Sequence, residues 1–373
     1  MQAILQNLIY GIQLGSLYAL IALGYTMVYG VLRLINFAHG DVYMVGAFVG
    51  FYACSGLPFK SLVTHPEAGT TNLLLAFLCL IMAMGICALL GLVIERFAYR
   101  PLRNGLQRGD AHFWGLALGV AIAVASTRTL AEHGFSGRAV PALGLMIGIP
   151  LGFTLRPLMS LLAGRITLST SRLNALITAI GVSLLLENGG LLVFGSNPLF
   201  APTILPERTF SPFGVNISSG QLIILIVSLV LMAVLRYIVG YTRQGKAMRA
   251  ISHDIEAAKL MGIDTDSVIA FTFALGAALA GAGGVMVAVL THVKITPLFG
   301  LQPGLKAFVA AVLGGAGNIP GAVIGGLVMG IAEAFVAGSR FSTYRDAIAF
   351  CLLILILLIR PAGILGKNIT EKV

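Results

Sequence analysis

Eleven apolar segments, at about 8–31, 41–54, 72–95, 111–127, 140–163, 174–194, 221–239, 268–290, 305–316, 319–337 and 347–360, limit what this chain can fold into. A bilayer core about 30 Å thick is crossed by roughly 20 apolar residues in a helix, and every backbone N–H and C=O inside it must be satisfied within the protein. Segments 41–54 and 305–316 are too short for a full crossing. Only 10% of the residues are charged, against about 25% in a soluble domain. With 58% apolar residues and 46 glycines, the chain is expected to be an all-α, polytopic helical membrane protein, a single membrane domain over 1–373. This excludes a soluble enzyme or a nucleic-acid binder, despite the net charge of +10.

The positive charge has a membrane meaning. With the N-terminus outside and one pass per segment, fifteen of the 24 Lys and Arg fall inside and seven outside, with Arg156 and Lys306 within apolar segments. The positive-inside rule favours this orientation, which puts the C-terminus in the cytoplasm. The first charged residue is Arg33, so no basic region of a signal peptide precedes the first apolar run, and 1–31 reads as a retained membrane helix. Cys54, Cys79, Cys87 and Cys351 sit in apolar stretches without metal-ligand spacing and read as small buried hydrophobes. No metal, cofactor or catalytic constellation is expected. The run from Gly240 to Lys246 imitates a phosphate-binding loop, but Ala247 stands where a Ser or Thr would hold magnesium, and a membrane helix precedes it instead of a strand.

Two interruptions carry the functional expectation. Asn36-Phe37-Ala38-His39-Gly40-Asp41 places polar residues close to the bilayer, and Thr296 to Gly304 contains Pro297, Gly300, Pro303 and Gly304. Each precedes a short apolar helix, and non-helical backbone at such depth survives only against protein or a water-filled cavity. Paired broken segments point to a translocation path. The candidates are Asn36, Ala38, His39, Asp41, Pro297, Phe299, Gly300 and Gln302. His39 reads as a hydrogen-bonded element at a helix start, and Asp41 suits the positive end of that helix's dipole. Glu187 and Glu333 lie inside apolar spans and need a partner, a cavity or the aqueous rim. The Gly- and Pro-rich stretch 195–220 is expected to be an ordered outer loop.

The inner loop 240–267 has apolar residues near helical spacing, at 247, 251, 255, 258 and 261–263, opposite Arg249, Asp254 and Lys259. One or two short amphipathic helices are expected, and their mixed charges suit a docking surface better than a lipid surface.

LGSLYALIALGYTMVYGVLRLINFAHGDVYMVGAF (14–48), ITAIGVSLLLEN (177–188), TRQGKAMRAISHDIEAAKLMGID (242–264), GAALAGAGGVM (276–286), VLGGAGNIPGAVIGGLVMGIAE (312–333) and RPAGILG (360–366) carry a further reading. In this order they resemble the LivH-type permease subunits of bacterial ABC importers for branched-chain amino acids. The resemblance implies the type II importer fold, a LivM-like second permease sharing the pore, two cytoplasmic ATPase subunits, an extracytoplasmic solute-binding protein and the bacterial inner membrane. Glu256-Ala257-Ala258 followed by Gly262 looks like the coupling loop of importer permeases. On that likeness Arg249, Ile251, Asp254, Glu256, Ala257, Ala258, Met261 and Gly262 would meet the ATPase, with Ile251, Ala258 and Met261 buried in its cleft. The departure is 104–170, about 65 residues with two apolar segments, expected to form an inserted helical hairpin at the periphery. A urea or short-amide permease is the alternative within the family. An ion-coupled secondary transporter using His39, Glu187 or Glu333 is the alternative outside it.

Overall fold

The computed structural model describes residues 2–55, 69–104, 150, 172–202, 204–205, 208–211, 214–291 and 293–366. Helices dominate: α1 (Gln2–Leu32), α2 (His39–Ser55), α3 (Gly69–Ile94), α4 (Arg172–Phe194), α5 (Ser219–Tyr241), α6 (Arg243–His253), α7 (Ile255–Leu260), α8 (Thr265–Leu290), α9 (Leu301–Gly314), α10 (Ile319–Ala337) and α11 (Ala347–Ile359). A two-stranded antiparallel ribbon pairs β1 (Thr209–Phe210) with β2 (Ile217–Ser218). Among the described residues six helices are long and apolar enough to cross a membrane, and α9 and α11 are shorter apolar helices. The protein is therefore an all-α multi-pass membrane protein, as its apolar segments require. The segments 111–127 and 140–163, and with them the hairpin expected over 104–170, lie outside the described residues.

The chain forms two compact units, Met1–Leu92 with Ala179–Val373, and Val93–Thr178. In the second, a π-helical turn, Glu95–Tyr99, is followed by a last helical turn, Arg100–Asn104. The buried carboxylate of Glu95 accepts from Arg103 at 3.1 Å.

In the first unit small residues let the helices approach closely, the usual basis of helix association in lipid. Gly11, Gly15 and Ala19 form one ridge of α1, and Gly326 and Gly330 form the facing ridge of α10. A methyl group on Gly330 would lie 2.1 Å from the Gly15 nitrogen, and one on Gly326 would lie 2.6 Å from the Ala19 Cα. The middle of α1, from Leu17 to Val28, is buried throughout. By contrast α4 and α5 leave apolar side chains such as Leu184, Leu185, Ile226 and Leu229 uncovered, as helices facing lipid or a partner must.

Helix starts follow local chemistry. Ser218 and Gln221 form a reciprocal capping box at α5, and Asn318 caps α10, with Pro320 in its first turn. The 195–220 stretch is ordered where described: Leu199 and Ile295 exchange backbone hydrogen bonds of 3.0 and 2.8 Å, and Ala201, Ile204 and Val215 are buried. At that end of the unit the Gln6 side chain also bonds the Asn216 backbone. At the other end Gly30 packs on Gly317, and Leu365 N–H donates to Gly314 O.

Candidate functional site

The site grows from two helices that begin part-way through the molecule. After α1 ends at Leu32 the chain turns at Arg33, with φ of 54°, and doubles back. The His39 and Asp41 N–H groups donate to Asn36 O and Ala38 O, each at 3.1 Å, and this turn starts α2. Its depth is fixed by Gly24, where a methyl group would lie 2.1 Å from His39 Nε2 and 3.0 Å from Gly276 O. Gly276 is near the middle of α8, so α2 starts level with that middle and well short of the end of α1.

The second break mirrors the first. From the end of α8 the segment 291–300 runs back inward, tied by the Leu199–Ile295 bridge, and α9 begins at Leu301. The two helix starts touch. A methyl on Gly40 would lie 2.7 Å from Gly300 O, one on Gly300 would lie 2.1 Å from Gly40 O, and one on Gly304 would lie 2.8 Å from the Gly40 Cα. Tyr43 stacks on Phe299 with ring centroids 5.4 Å apart, and Tyr25 packs edge-on to both His39 and Phe308.

Two helix N-termini in contact bring together the partial positive ends of two helix dipoles. The first turn of α2 contains Asp41, whose Oδ2 accepts from Ser183 Oγ on α4 at 2.5 Å. Glu187 lies one turn further along α4. Asn36, Ala38, His39, Asp41, Pro297 and Gly300 are buried, Phe299 is half-buried and Gln302 is exposed. The structure thus brings the two sequence-predicted breaks together and adds Ser183, which the sequence does not single out. His39 Nε2 is buried without a hydrogen-bond partner.

Glu333 is accounted for by packing and charge. Its carboxylate accepts from Tyr18 Oη at 2.7 Å and pairs with Lys306 Nζ at 2.6 Å. Lys306 also reaches Asp346 at 2.6 Å, just before α11. That lysine holds the Asp346 carboxyl below its usual carboxylate range. The sequence shows Lys306 and Glu333 as opposite charges inside separate apolar runs, the one signal that could have paired them.

The 240–267 loop forms the expected short helices, α6 and α7. Thr242 caps α6 through Gly245 N–H, and Asp254 caps α7 by accepting from Glu256 and Ala257 N–H at 2.9 and 3.0 Å. Arg249 donates to Val239 O and Gly240 O, fastening α6 to the end of α5. Gly262 takes φ of 80° just past α7, a left-handed conformation that suits glycine. One part of the expectation is corrected. Ile251 and Ala258, offered to a partner's cleft on sequence grounds, are 1% and 4% exposed because this chain's own packing covers them. The free apolar surface is Leu260 and Met261, 88% and 83% exposed, flanked by exposed Glu256, Ala257 and Lys259.

A multi-pass bundle of apolar helices with two helix starts abutting inside it, and similar in sequence to transport permeases over nearly its whole length, is itself a transport permease. The family is equally clear: the chain belongs to the branched-chain amino acid transport system permease components, whose family model matches residues 7–108 and 109–357. It is 37% identical to the high-affinity branched-chain amino acid transport system permease protein LivH of Escherichia coli (strain K12), over 99% of this chain and 97% of that protein. It is 38% identical to the corresponding permease protein BraD of Pseudomonas aeruginosa, over 99% of this chain and 98% of that protein. A probable branched-chain amino acid transport permease protein LivH of Methanocaldococcus jannaschii is 31% identical over 45% of this chain and 54% of its own length. No solved structure matches.

Proposed function

We propose that this chain is one of two membrane-spanning permease subunits of an ATP-driven importer of branched-chain amino acids in the bacterial inner membrane. The observation that carries the reading is the reach of the similarity: relatives named as branched-chain amino acid permeases align over 99% of the chain, both half-length helices and the α6–α7 hairpin included. A LivM-like second permease covers part of the uncovered apolar surface and completes the path. Two cytoplasmic ATPase subunits supply the energy, and an extracytoplasmic binding protein delivers the amino acid.

The path runs past the junction of α2 and α9, where Gly40, Gly300 and Gly304 meet and Asp41 stands in the first turn of α2. The exposed end of α7, at Leu260 and Met261, docks on the ATPase, with Arg249, Asp254, Glu256, Ala257 and Gly262 setting its shape and rim. The N-terminus lies outside and the C-terminus in the cytoplasm. This is supported by the Lys and Arg distribution and by the meeting of Gln6 with the 195–220 loop at one end and Leu365 with Gly314 at the other.

The test is ATP-dependent uptake in proteoliposomes containing both permeases and both ATPases, fed by the binding protein. Labelled leucine, isoleucine or valine should accumulate in the lumen only with ATP inside the vesicles and the binding protein outside. Uptake of urea or short amides alone would move the substrate assignment within the family. Uptake driven by an ion gradient without ATP would overturn it.

A further inference from the structure

Of the described cysteines, Cys54 and Cys79 are in contact: their sulfurs are 3.5 Å apart, and one thiol donates to the other. Cys54 stands one residue before the end of α2, and Cys79 lies in α3. Both are buried among Phe48, Leu75, Val285 and Val289. The transport reading assigns neither thiol a role, and packing alone would be served as well by two alanines.

A second, independent feature leads to the same pair. Cys79 lines an apolar groove of about 140 Å³ with Leu73, Phe77, Leu205, Ile223 and Val289. A void of about 150 Å³ lined by apolar side chains holds one benzene molecule, so this groove admits a single aromatic ring beside the Cys79 sulfur. Polar and charged thiol reagents have no such entry, because nothing in that lining would replace their water.

We propose that Cys54 and Cys79 are a reversible disulfide-forming site that fastens α2 to α3, and that it is reached by small apolar disulfides through this groove. The thiolate of Cys79 attacks one sulfur of the external disulfide, forming a mixed disulfide and expelling one thiolate. The thiolate of Cys54 then attacks the Cys79 sulfur, forming the intrachain bond and expelling the second thiolate. The two protein thiols lose two protons and two electrons, and the external disulfide is reduced to two thiols. The sulfurs have to approach by about 1.5 Å to reach bonding distance. The bond would tie down α2, the helix whose other end meets α9 at Gly40 and Gly300.

The probe is dithiodipyridine, applied to the full chain in nanodiscs in a Cys87→Ala, Cys351→Ala background, which leaves Cys54 and Cys79 as the chain's two thiols. The expected result is two thiopyridones released per chain, no pyridyl group retained at these positions, and a peptide joining Cys54 to Cys79 with the mass of two hydrogens lost. In Cys54→Ala, Cys79 should release one thiopyridone and keep a pyridyl adduct that dithiothreitol removes. A stable adduct on Cys79 beside a free Cys54 thiol would overturn the proposal. So would two unreacted thiols in a native chain whose denatured form reacts fully. Uptake by the bonded chain should fall and return with dithiothreitol, while Cys54→Ala should show no such reversible loss. Unchanged uptake in a fully bonded chain would show that α2 and α3 need not move apart. This last arm rests on the transport reading, whereas the mass measurement is independent of what the chain carries.

Discussion

Gly40 and Gly300 meet backbone to backbone, so closely that a methyl group on either would press into the other's carbonyl oxygen, at 2.7 and 2.1 Å. Both helix starts are held at the same place by this contact. Gly40→Ala or Gly300→Ala should destabilise the chain by about 1–3 kcal/mol through overpacking, and should lower uptake more than expression. Gly181→Ala is the control, since nothing lies within 4 Å of a methyl group there. Thermal unfolding in detergent, run beside uptake, checks the pair against the control; equal behaviour of all three would show that the junction tolerates separation.

The pairing of Lys306 with Glu333 makes a second prediction. Both side chains are almost wholly buried; Lys306→Met leaves the Glu333 carboxylate without its cation and should cost about 3–5 kcal/mol, whereas Glu333→Gln leaves Lys306 paired with Asp346 and should cost less. The double variant Lys306→Met with Glu333→Gln should recover much of that loss, because it leaves no buried unpaired charge; Asp346, which loses Lys306, is solvent-exposed and still faces Arg345. Unfolding temperatures of the three proteins measure the coupling.

Asp346, at 48% side-chain exposure, belongs to the same cluster but should matter less. Its pair with Lys306 is solvent-screened, and Asp346→Asn should cost under about 1 kcal/mol. Because the folded carboxyl is held below its usual range, its contribution is complete above the ordinary carboxylate value of about 4 and fades as pH falls through the folded value. An acid titration of stability should therefore show a smaller loss on acidification in Asp346→Asn than in the parent.

The spans were legible because composition alone decides them: long apolar runs have no soluble alternative. The breaks were legible too, since Pro297, Gly300 and the polar run from Asn36 to Asp41 cannot sit in an uninterrupted lipid-facing helix. Their mutual contact was not, because a backbone touching a distant backbone leaves only glycines as a trace, and this chain has 46 of them. The four-residue spacing of Gly11, Gly15 and Ala19, and of Gly326 and Gly330, was a usable sign of the α1–α10 interface. In the inner loop the amphipathic pattern showed that one face is covered, but not by what. Ile251 and Ala258 are covered by their own chain; of the exposed pair, Met261 was already named from the sequence and Leu260 came to light only from exposure.

That division of the hairpin can be tested. Leu260→Ser and Met261→Ser should leave unfolding unchanged, since both side chains are uncovered in this chain, and should each weaken ATPase docking by roughly 1.5 kcal/mol, about tenfold. Ile251→Ala should behave in the opposite way, costing about 2–5 kcal/mol of stability with little direct effect on docking of the folded fraction. Pull-down of the ATPases beside thermal unfolding separates the two effects. Loss of docking in Ile251→Ala alone would place the contact on the other face.

The path itself can be probed by cysteines at the two breaks, in a chain whose native cysteines are replaced by alanine. Gln302 is exposed, Phe299 is half-buried, and Asn36 and Ala38 are buried at the foot of α2. Gln302→Cys should therefore react with a charged, water-soluble thiol reagent in the resting transporter, and Phe299→Cys more slowly. Asn36→Cys and Ala38→Cys should be protected at rest and should react only while ATP is turned over, when the starts of α2 and α9 part to let the amino acid through. Protection of Asn36→Cys and Ala38→Cys both at rest and during turnover would leave the junction closed throughout the cycle and place the path on another face of the chain.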